Sequence, residues 1–276
     1  AGFIGQNLVH AWRAARPSDR LVVVDAMTYA ANLRSLEPLI AERSIVLVKG
    51  DINDAALMRS LFEEHRFTRV AHLAAESHVD RSIDDPEAFL QTNVLGTFTL
   101  LKSALDHWRA TGTLERCRFL HVSTDEVYGS LGPDDPAFTE HSPYRPNSPY
   151  AASKASSDHL VRSFAATYGM PALITNCSNN YGPYQHPEKL IPLMIIHALE
   201  GKPLPIYGDG SNVRDWLHVS AHCEALMSVI EHGRIGDTYN IGGGNERNNR
   251  DVVGLICDTI DRVFDADARL AARFPA

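Results

Sequence analysis

The chain has 276 residues, enough for a large α/β unit with a further lobe. Its hydrophobic content of 44% and charged content of 22% are those of an ordinary globular protein, and a formal charge of -8 argues against nonspecific nucleic-acid binding. No apolar run approaches the roughly 20 residues of a membrane span, and no signal peptide is visible. The four cysteines, Cys117, Cys177, Cys223 and Cys257, form no C-x-x-C pair, so reduced thiols in a cytoplasmic protein are expected.

Residues 6–16 carry a helical pattern, and Leu21-Val22-Val23-Val24-Asp25 reads as a buried strand. Ser44 to Lys49 predicts the next strand, closing at Gly50-Asp51. Asp54 to His65 predicts a helix with Asp54 as its N-cap. Arg69 to Leu73 is a further strand, and Pro86 to Arg109 reads as one long helix with proline at its start. A strand at 118–123, a helix from Tyr150 to Tyr168 and a strand from Ala172 to Asn176 follow. This alternation predicts a Rossmann-type, doubly wound parallel sheet of the α/β class. After residue 176, Pro183, Pro187, Pro192, Pro203 and Pro205 punctuate shorter elements, as in a smaller C-terminal lobe. Arg214 to Val219 reads as a strand returning to the main sheet, and 251–264 as an amphipathic helix. The expected division is 1–178 for the first domain, with roughly 212–240 returning to it, and 179–276 for the lobe. The chain opens inside a glycine turn, without Met, and is read as a fragment lacking the first strand and the C-terminal end.

Gly2-Phe3-Ile4-Gly5 at the start of a helix is the second half of a G-x-x-G-x-x-G turn, in which backbone amides meet a pyrophosphate. By itself such a loop is common. Asp25 adds weight, because it ends a valine-rich strand 20 residues after Gly5. A carboxylate there bonds adenosine ribose hydroxyls and repels a 2′-phosphate, which favours NAD over NADP. Asp51-Ile52 either flanks the adenine or is a plain solvated turn, and both readings stand. Leu73-Ala74-Ala75-Glu76-Ser77 ends its strand in small residues, as a closely passing cofactor requires.

Two further clusters carry chemistry. Ser123-Thr124-Asp125-Glu126-Val127-Tyr128-Gly129 follows a buried strand and places two adjacent carboxylates and a hydroxyl at its C-terminal end. Tyr150 and Lys154 share one face of the helix that begins after Pro149. A Lys ammonium beside the phenol is expected to favour the phenolate and to lower a pKa that is normally about 10. Together the clusters supply an alcohol-oxidising base and an acid/base pair. The histidines His72 and His121 fall in apolar strands as core residues, no H-x-x-x-H with a carboxylate occurs, and no metal is expected.

On these residues the chain resembles the extended short-chain dehydrogenase/reductases, and among them the nucleotide-sugar 4,6-dehydratases. The resemblance is nearly continuous. It is carried by residues 73–82, 123–129, Ser148 to His159, Thr175 to Tyr184, Pro187 to Pro192 and Leu204 to Gly208. Related epimerases and decarboxylases have small or hydroxyl residues where this chain has Asp125.

The resemblance implies a deoxysugar-pathway enzyme acting on a nucleotide sugar, with dTDP-glucose the expected substrate. It assigns Tyr150, aided by Lys154, to the C4 hydroxyl proton and Thr124 to O4. Glu126 would remove the C5 proton, and protonated Asp125 would donate to the departing C6 hydroxyl. The hydride taken from C4 returns to C6, so the net redox change is zero. For NAD it implies Gly2, Phe3, Ile4, Gly5, Asp25, Thr28, Asp51, Ile52, Leu73, Ala74, Ala75, Thr92, Tyr150, Lys154 and Asn180. For the nucleotide sugar it implies Ser77, Thr124, Asn179, Lys189, Leu190, Pro205, Tyr207, Arg214 and Asn249. A homodimer through the helices at 86–109 and 150–168 is also implied. A UDP-sugar epimerase or decarboxylase of the same fold, and a non-catalytic NAD-binding scaffold, remain as alternatives.

Overall fold

The computed structural model describes every residue except Pro133, Tyr207, Pro275 and Ala276. In chain order its elements begin with α1 (Phe3–Ala15), β1 (Val22–Asp25), α2 (Glu37–Ala41), β2 (Val46–Lys49), α3 (Ala55–His65) and β3 (Arg69–His72). Next come α4 (Val79–Asp84), α5 (Pro86–Phe89), a π-helical segment (Leu90–Gly96) and α6 (Thr97–Ala110). They lead to β4 (Arg118–Thr124), a 3₁₀ turn (Asp125–Tyr128), α7 (Pro149–Tyr168) and β5 (Ala172–Cys177). The remainder comprises β6 (Asn179–Tyr181), α8 (Leu190–Leu199), β7 (Val213–His218), α9 (Val219–His232), β8 (Thr238–Ile241), β9 (Glu246–Asn248), α10 (Asn249–Ala266) and α11 (Ala268–Ala271).

The chain divides into two compact units, Ala1–Cys177 with Ser220–Ile241, and Ser178–Val219 with Gly242–Ala276. The first is a parallel α/β unit of Rossmann type. Its strands pair as β1-β2 and as β3-β4-β5-β8, all in parallel. Alternate residues of β1 serve opposite faces, as the pleat requires. Val23 packs with Val9, Leu36 and Ile45, whereas Val24 packs with the cluster of Met58, Phe62, Leu101, Trp108 and Phe119. Apolar layers therefore cover both sides, the condition for a parallel sheet. Trp108 is fully buried, and its indole N–H donates to Phe67 O at 2.7 Å, so the largest core side chain leaves no polar atom unpaired.

The helices start where their sequences dictate. Asp54 caps α3 by accepting the amides of Ala56 and Leu57, both at 3.0 Å. Ser148 caps α7, with Pro149 at the first helical position. Two expectations are corrected. The helix anticipated over Pro86–Arg109 is interrupted by the π-helical turn, and Val79–Asp84 forms a separate helix before it. The strand expected to rejoin the main sheet, β7, pairs instead with β6 in parallel and β9 antiparallel, inside the second unit. The segment that does return to the first unit is α9 from Ser220 and β8. Val213, Arg214, Trp216 and Leu217 read as any strand with a buried face, and that pattern does not say which sheet receives it.

Candidate active site

Strand β4 delivers the first cluster. Thr124 ends it and caps the following 3₁₀ turn by accepting the Glu126 amide through Oγ1 at 3.3 Å. The turn is nailed down from below. Val127 and Tyr128 are buried, Tyr128 packs on Phe138 and Tyr144, and its hydroxyl donates to Asn240 Oδ1 at 2.8 Å. Gly129 closes the turn at φ 99, where a Cβ would lie 2.5 Å from Arg145 O. Only glycine fits there. With Val127 and Tyr128 held inward, Asp125 and Glu126 are left half-buried at the carboxyl end of the strand.

Helix α7 supplies the second cluster. The Tyr150 amide donates to Ser82 Oγ at 3.2 Å, and its phenol is hydrogen-bonded by the Thr124 hydroxyl and faces Glu126 and Asp125. Burial first, then the Glu126 carboxylate, pushes the phenol well above its ordinary value of 10, although the Tyr150 residue as a whole is only partly buried. The expected lowering by Lys154 is not found. Lys154 turns away beneath the helix, donating to Val122 O at 2.8 Å and lying 3.5 Å from His121 Nε2. Burial lowers its pKa to about 8, opposed by the nearby Asp158 carboxylate. The carbonyl that ends up under α7 wins the ammonium because a buried charge must be hydrogen-bonded.

Three residues to which sequence reasoning gave no part in the site complete this region. Asn93, buried in the π-helical segment, accepts the Glu76 amide and donates to Glu76 O and to Ser153 Oγ, each at 2.9 Å. It thereby ties the loop after β3 to α7, one turn from Tyr150. His121 and Asp158, both fully buried, stand 3.3 Å apart under Lys154. Thr92 sits beside Asn93 in the same segment.

The cofactor candidates of the first unit divide. Gly2 is the N-cap of α1 and places no side chain on its first-turn amides, and a Cβ at Gly2 or Gly5 would meet nothing within 4 Å. That leaves open space before helix amides, which suits a pyrophosphate. Asp25, at the end of β1, accepts the Met27 amide through Oδ1 at 2.7 Å, and Oδ2 lies 2.7 Å from the Ala1 nitrogen. Thr28 precedes Tyr29, whose ring lies under the Arg81 guanidinium at 4.0 Å. Leu73, Ala74 and Ala75 are half-buried in the loop that Asn93 holds, and Ser77 is exposed beyond it. Asp51 turns its carboxylate into its own loop, accepting the amide and side chain of Asn53, and Ile52 is buried in the core. The plain-turn reading of Asp51 accounts for these bonds.

The remaining candidates belong to the second unit. Asn179 and Asn180 lie on β6, where the Asn180 side chain donates to Ser178 O. Lys189 is the N-cap of α8 and Leu190 its first residue; Asn249 opens α10. Pro205 is exposed, and Tyr207 lies outside the described residues. Arg214 on β7 stands opposite Arg247 on β9, two like charges in one cross-strand pair. Such pairing is unfavourable on its own and suits a site for an anion. Arg247 was missed because register cannot be read before the partner strand is known. Asp215, next along, gathers the amides of Gly243 and Asn245 at 2.7 and 2.8 Å, and a Cβ on Gly243 would meet Trp216 O at 2.2 Å.

Comparison with known proteins shows the family. The family model for GDP-mannose 4,6 dehydratase matches residues 1–272. The chain belongs to this dehydratase family. Within it, the dTDP-glucose 4,6-dehydratase of Xanthomonas campestris pv. campestris (strain B100) is 58% identical over 264 residues, covering 95% of this chain and 74% of that protein. The dTDP-glucose 4,6-dehydratase DesIV of Streptomyces venezuelae, solved with NAD bound, is 48% identical with a TM-score of 0.87, over 95% of this chain and 79% of that one. A UDP-glucose 4-epimerase of Thermotoga maritima shares the fold at a TM-score of 0.83 with 27% identity, over 94% of this chain and 79% of that one. The dehydratases stand much nearer in sequence than the epimerase of the same fold.

Proposed function

We propose that this protein is a dTDP-glucose 4,6-dehydratase. It is an NAD-dependent hydro-lyase that forms dTDP-4-keto-6-deoxyglucose for deoxysugar synthesis of the dTDP-rhamnose type. The observation that carries this reading is the pair of adjacent carboxylates, Asp125 and Glu126, clamped on a strand-end turn against the Tyr150 phenol. A simple dehydrogenase needs a base for one hydroxyl and has no use for two more acids beside it.

Bound NAD supplies the acceptor for the C4 hydride, the same hydride for C6 after water has left, and a positive charge that offsets the carboxylates around the phenol. The open amides at Gly2, Phe3, Ile4 and Gly5 suit its pyrophosphate and Asp25 its ribose, with Thr28, Leu73, Ala74, Ala75, Thr92 and Asn180 as further contacts. Tyr150 accepts the proton of the C4 hydroxyl, and Thr124 holds the phenol and O4 in line. Glu126 takes the C5 proton, which the neighbouring ketone makes acidic. Asp125 gives its proton to the C6 hydroxyl, which departs as water, and Glu126 later returns the proton to C5. Lys189, Arg214 and Asn249 carry the diphosphate and nucleoside, because fixed cations and amide donors match phosphate oxygens.

The working form is a cytoplasmic homodimer. Leu90, Leu95 and Phe98 are exposed on the π-helical segment and α6, and Phe98 continues through Phe164 to Tyr168 on α7 as edge-on aromatic contacts. Exposed apolar side chains grouped in this way suit an interface. The activity test is direct. Incubation of the full-length protein with dTDP-glucose should yield the alkali-induced absorbance of a 4-keto-6-deoxy sugar. Absence of that product with dTDP-, UDP- and CDP-glucose would refute the dehydratase reading, and C4 epimerisation of UDP-glucose would put an epimerase in its place.

A further inference from the structure

Beneath the proposed catalytic face, Lys154 belongs to a buried charged cluster whose other members the reaction steps do not use. Lys154 is 3% exposed and carries a hydrogen bond to Val122 O, a neutral carbonyl. An ammonium removed from water needs a full counter-charge as well as hydrogen bonds. Asp158 stands one turn further along α7, at i+4, with no exposed surface. Between them His121 Nε2 lies 3.5 Å from Lys154 Nζ and 3.3 Å from Asp158 Oδ1, so the imidazole edge is wedged between the two charged groups. The second carboxylate oxygen, Oδ2, accepts from Ser123 Oγ at 3.0 Å and from the Tyr144 hydroxyl at 2.9 Å. Ser123 precedes Thr124 on β4. One carboxylate thus acts on the lysine through its charge and holds by hydrogen bond the strand end that carries the proposed acid and base.

The charged and titratable groups around Lys154 are few. From α7 come Asp158 and, further along, Arg162, which acts on Asp158. From β4 comes His121, and from β3 His72, whose ring centre is 5.1 Å from that of His121. The Cys177 thiol faces it from the end of β5, and Tyr144 reaches Asp158 from the preceding loop. Burial holds both histidines well below their ordinary value, with Lys154 adding to the effect, so neither carries positive charge at neutral pH. Asp158 is the carboxylate of this set.

Resting on the dehydratase reading for the role of Lys154, we infer that Asp158 is a positioning residue, the buried counter-charge that keeps Lys154 protonated and ties α7 to the strand end at Ser123. Burial raises the Asp158 pKa to about 6 and lowers that of Lys154 to about 8, each opposed by the other, which leaves a window in which both are charged.

The test is D158N in the full-length protein, an amide of the same shape that can still accept from Ser123 and Tyr144. Lysine labelled with ¹³C at the ε carbon, assigned with K154M, reports the Lys154 titration by NMR without turnover. In D158N the midpoint should fall by about one pH unit or more, as expected for loss of a charge partner. The alkaline limb of kcat for dTDP-glucose dehydration should move by the same amount, with KM for the sugar nucleotide unchanged. Y144F, which removes one donor from Oδ2, should move the midpoint the same way by less. A folded D158N with an unchanged Lys154 midpoint overturns the inference. Should D158N fail to fold, an unchanged midpoint in Y144F overturns it equally. If the wild type makes no 4-keto sugar, the dehydratase reading fails while the NMR titration still decides the role of Asp158.

Discussion

At position 126, glutamine keeps the size of the native side chain and removes its basicity. E126Q should still draw hydride from C4 on mixing with dTDP-glucose, seen as rising reduced-nicotinamide absorbance, while water loss falls by roughly 10²–10⁴-fold. Stopped-flow absorbance beside the product assay checks both halves, and dehydration at the wild-type rate would remove Glu126 from the role of base. A second expectation concerns Lys154. Its folded pKa of about 8 lies below its ordinary 10.5, so the charge is lost as pH rises through about 8. The sign for stability is the opposite of that for activity. A buried ammonium opposes folding most where it is protonated, so this group's contribution to stability grows between about 8 and 10.5. Activity should therefore decline reversibly above pH 8 without a matching drop in Tm from this residue, measured by initial rates and thermal melts across the same buffers. Tyr150 and Lys154, four apart after a proline, were legible because helix spacing is a local rule. The burial of His121 was legible too, but its pairing with Asp158 was not, because that arises only when β4 and α7 pack together.

The π-helical segment shows how an element can be anticipated in extent and misread in detail. Pro86 to Arg109 has the composition of a helix throughout, and most of it is helical. A π turn inserts one residue of phase, which 3.6-residue periodicity over a short apolar stretch does not reveal. The inserted turn aims Asn93 inward, where it satisfies both backbone groups of Glu76 and meets Ser153. Replacing it by alanine strands the half-buried amide and carbonyl of Glu76. N93A should cost about 1–3 kcal/mol for each group left unpaired, read by urea denaturation, and should raise KM for NAD because the loop from Leu73 to Ser77 loses its tether. A variant within ~0.5 kcal/mol of wild type, the ordinary range for surface changes, would show that water replaces the amide without loss. Strand β7 makes the same point about sheets. Its buried face was visible in Trp216 and Leu217, but its partners β6 and β9 are three-residue strands with no signal of their own.

For the molecule as a whole, alternation of strand and helix sufficed for the doubly wound class, because parallel strands with apolar cover on both faces leave few other arrangements. What lies on the outside is harder to read, since an apolar residue in an amphipathic pattern is assigned to the core by default. Phe98 shows the difference. It follows buried Thr97 on α6, yet 43% of it is exposed, as are 48% of Leu95 and 53% of Leu90. Three exposed apolar side chains this close along one helical stretch suit coverage by another apolar surface, and a second copy of the same helices would be a self-complementary partner. The full-length protein should therefore run as a dimer in light scattering coupled to size exclusion. F98E places a charge among these exposed apolar side chains, away from Tyr150, Asp125 and Glu126 in sequence. It should shift the mass to that of a monomer while the far-ultraviolet circular dichroism stays unchanged. A wild-type monomer would remove the dimer from the proposal, and an F98E dimer would move the interface away from α6.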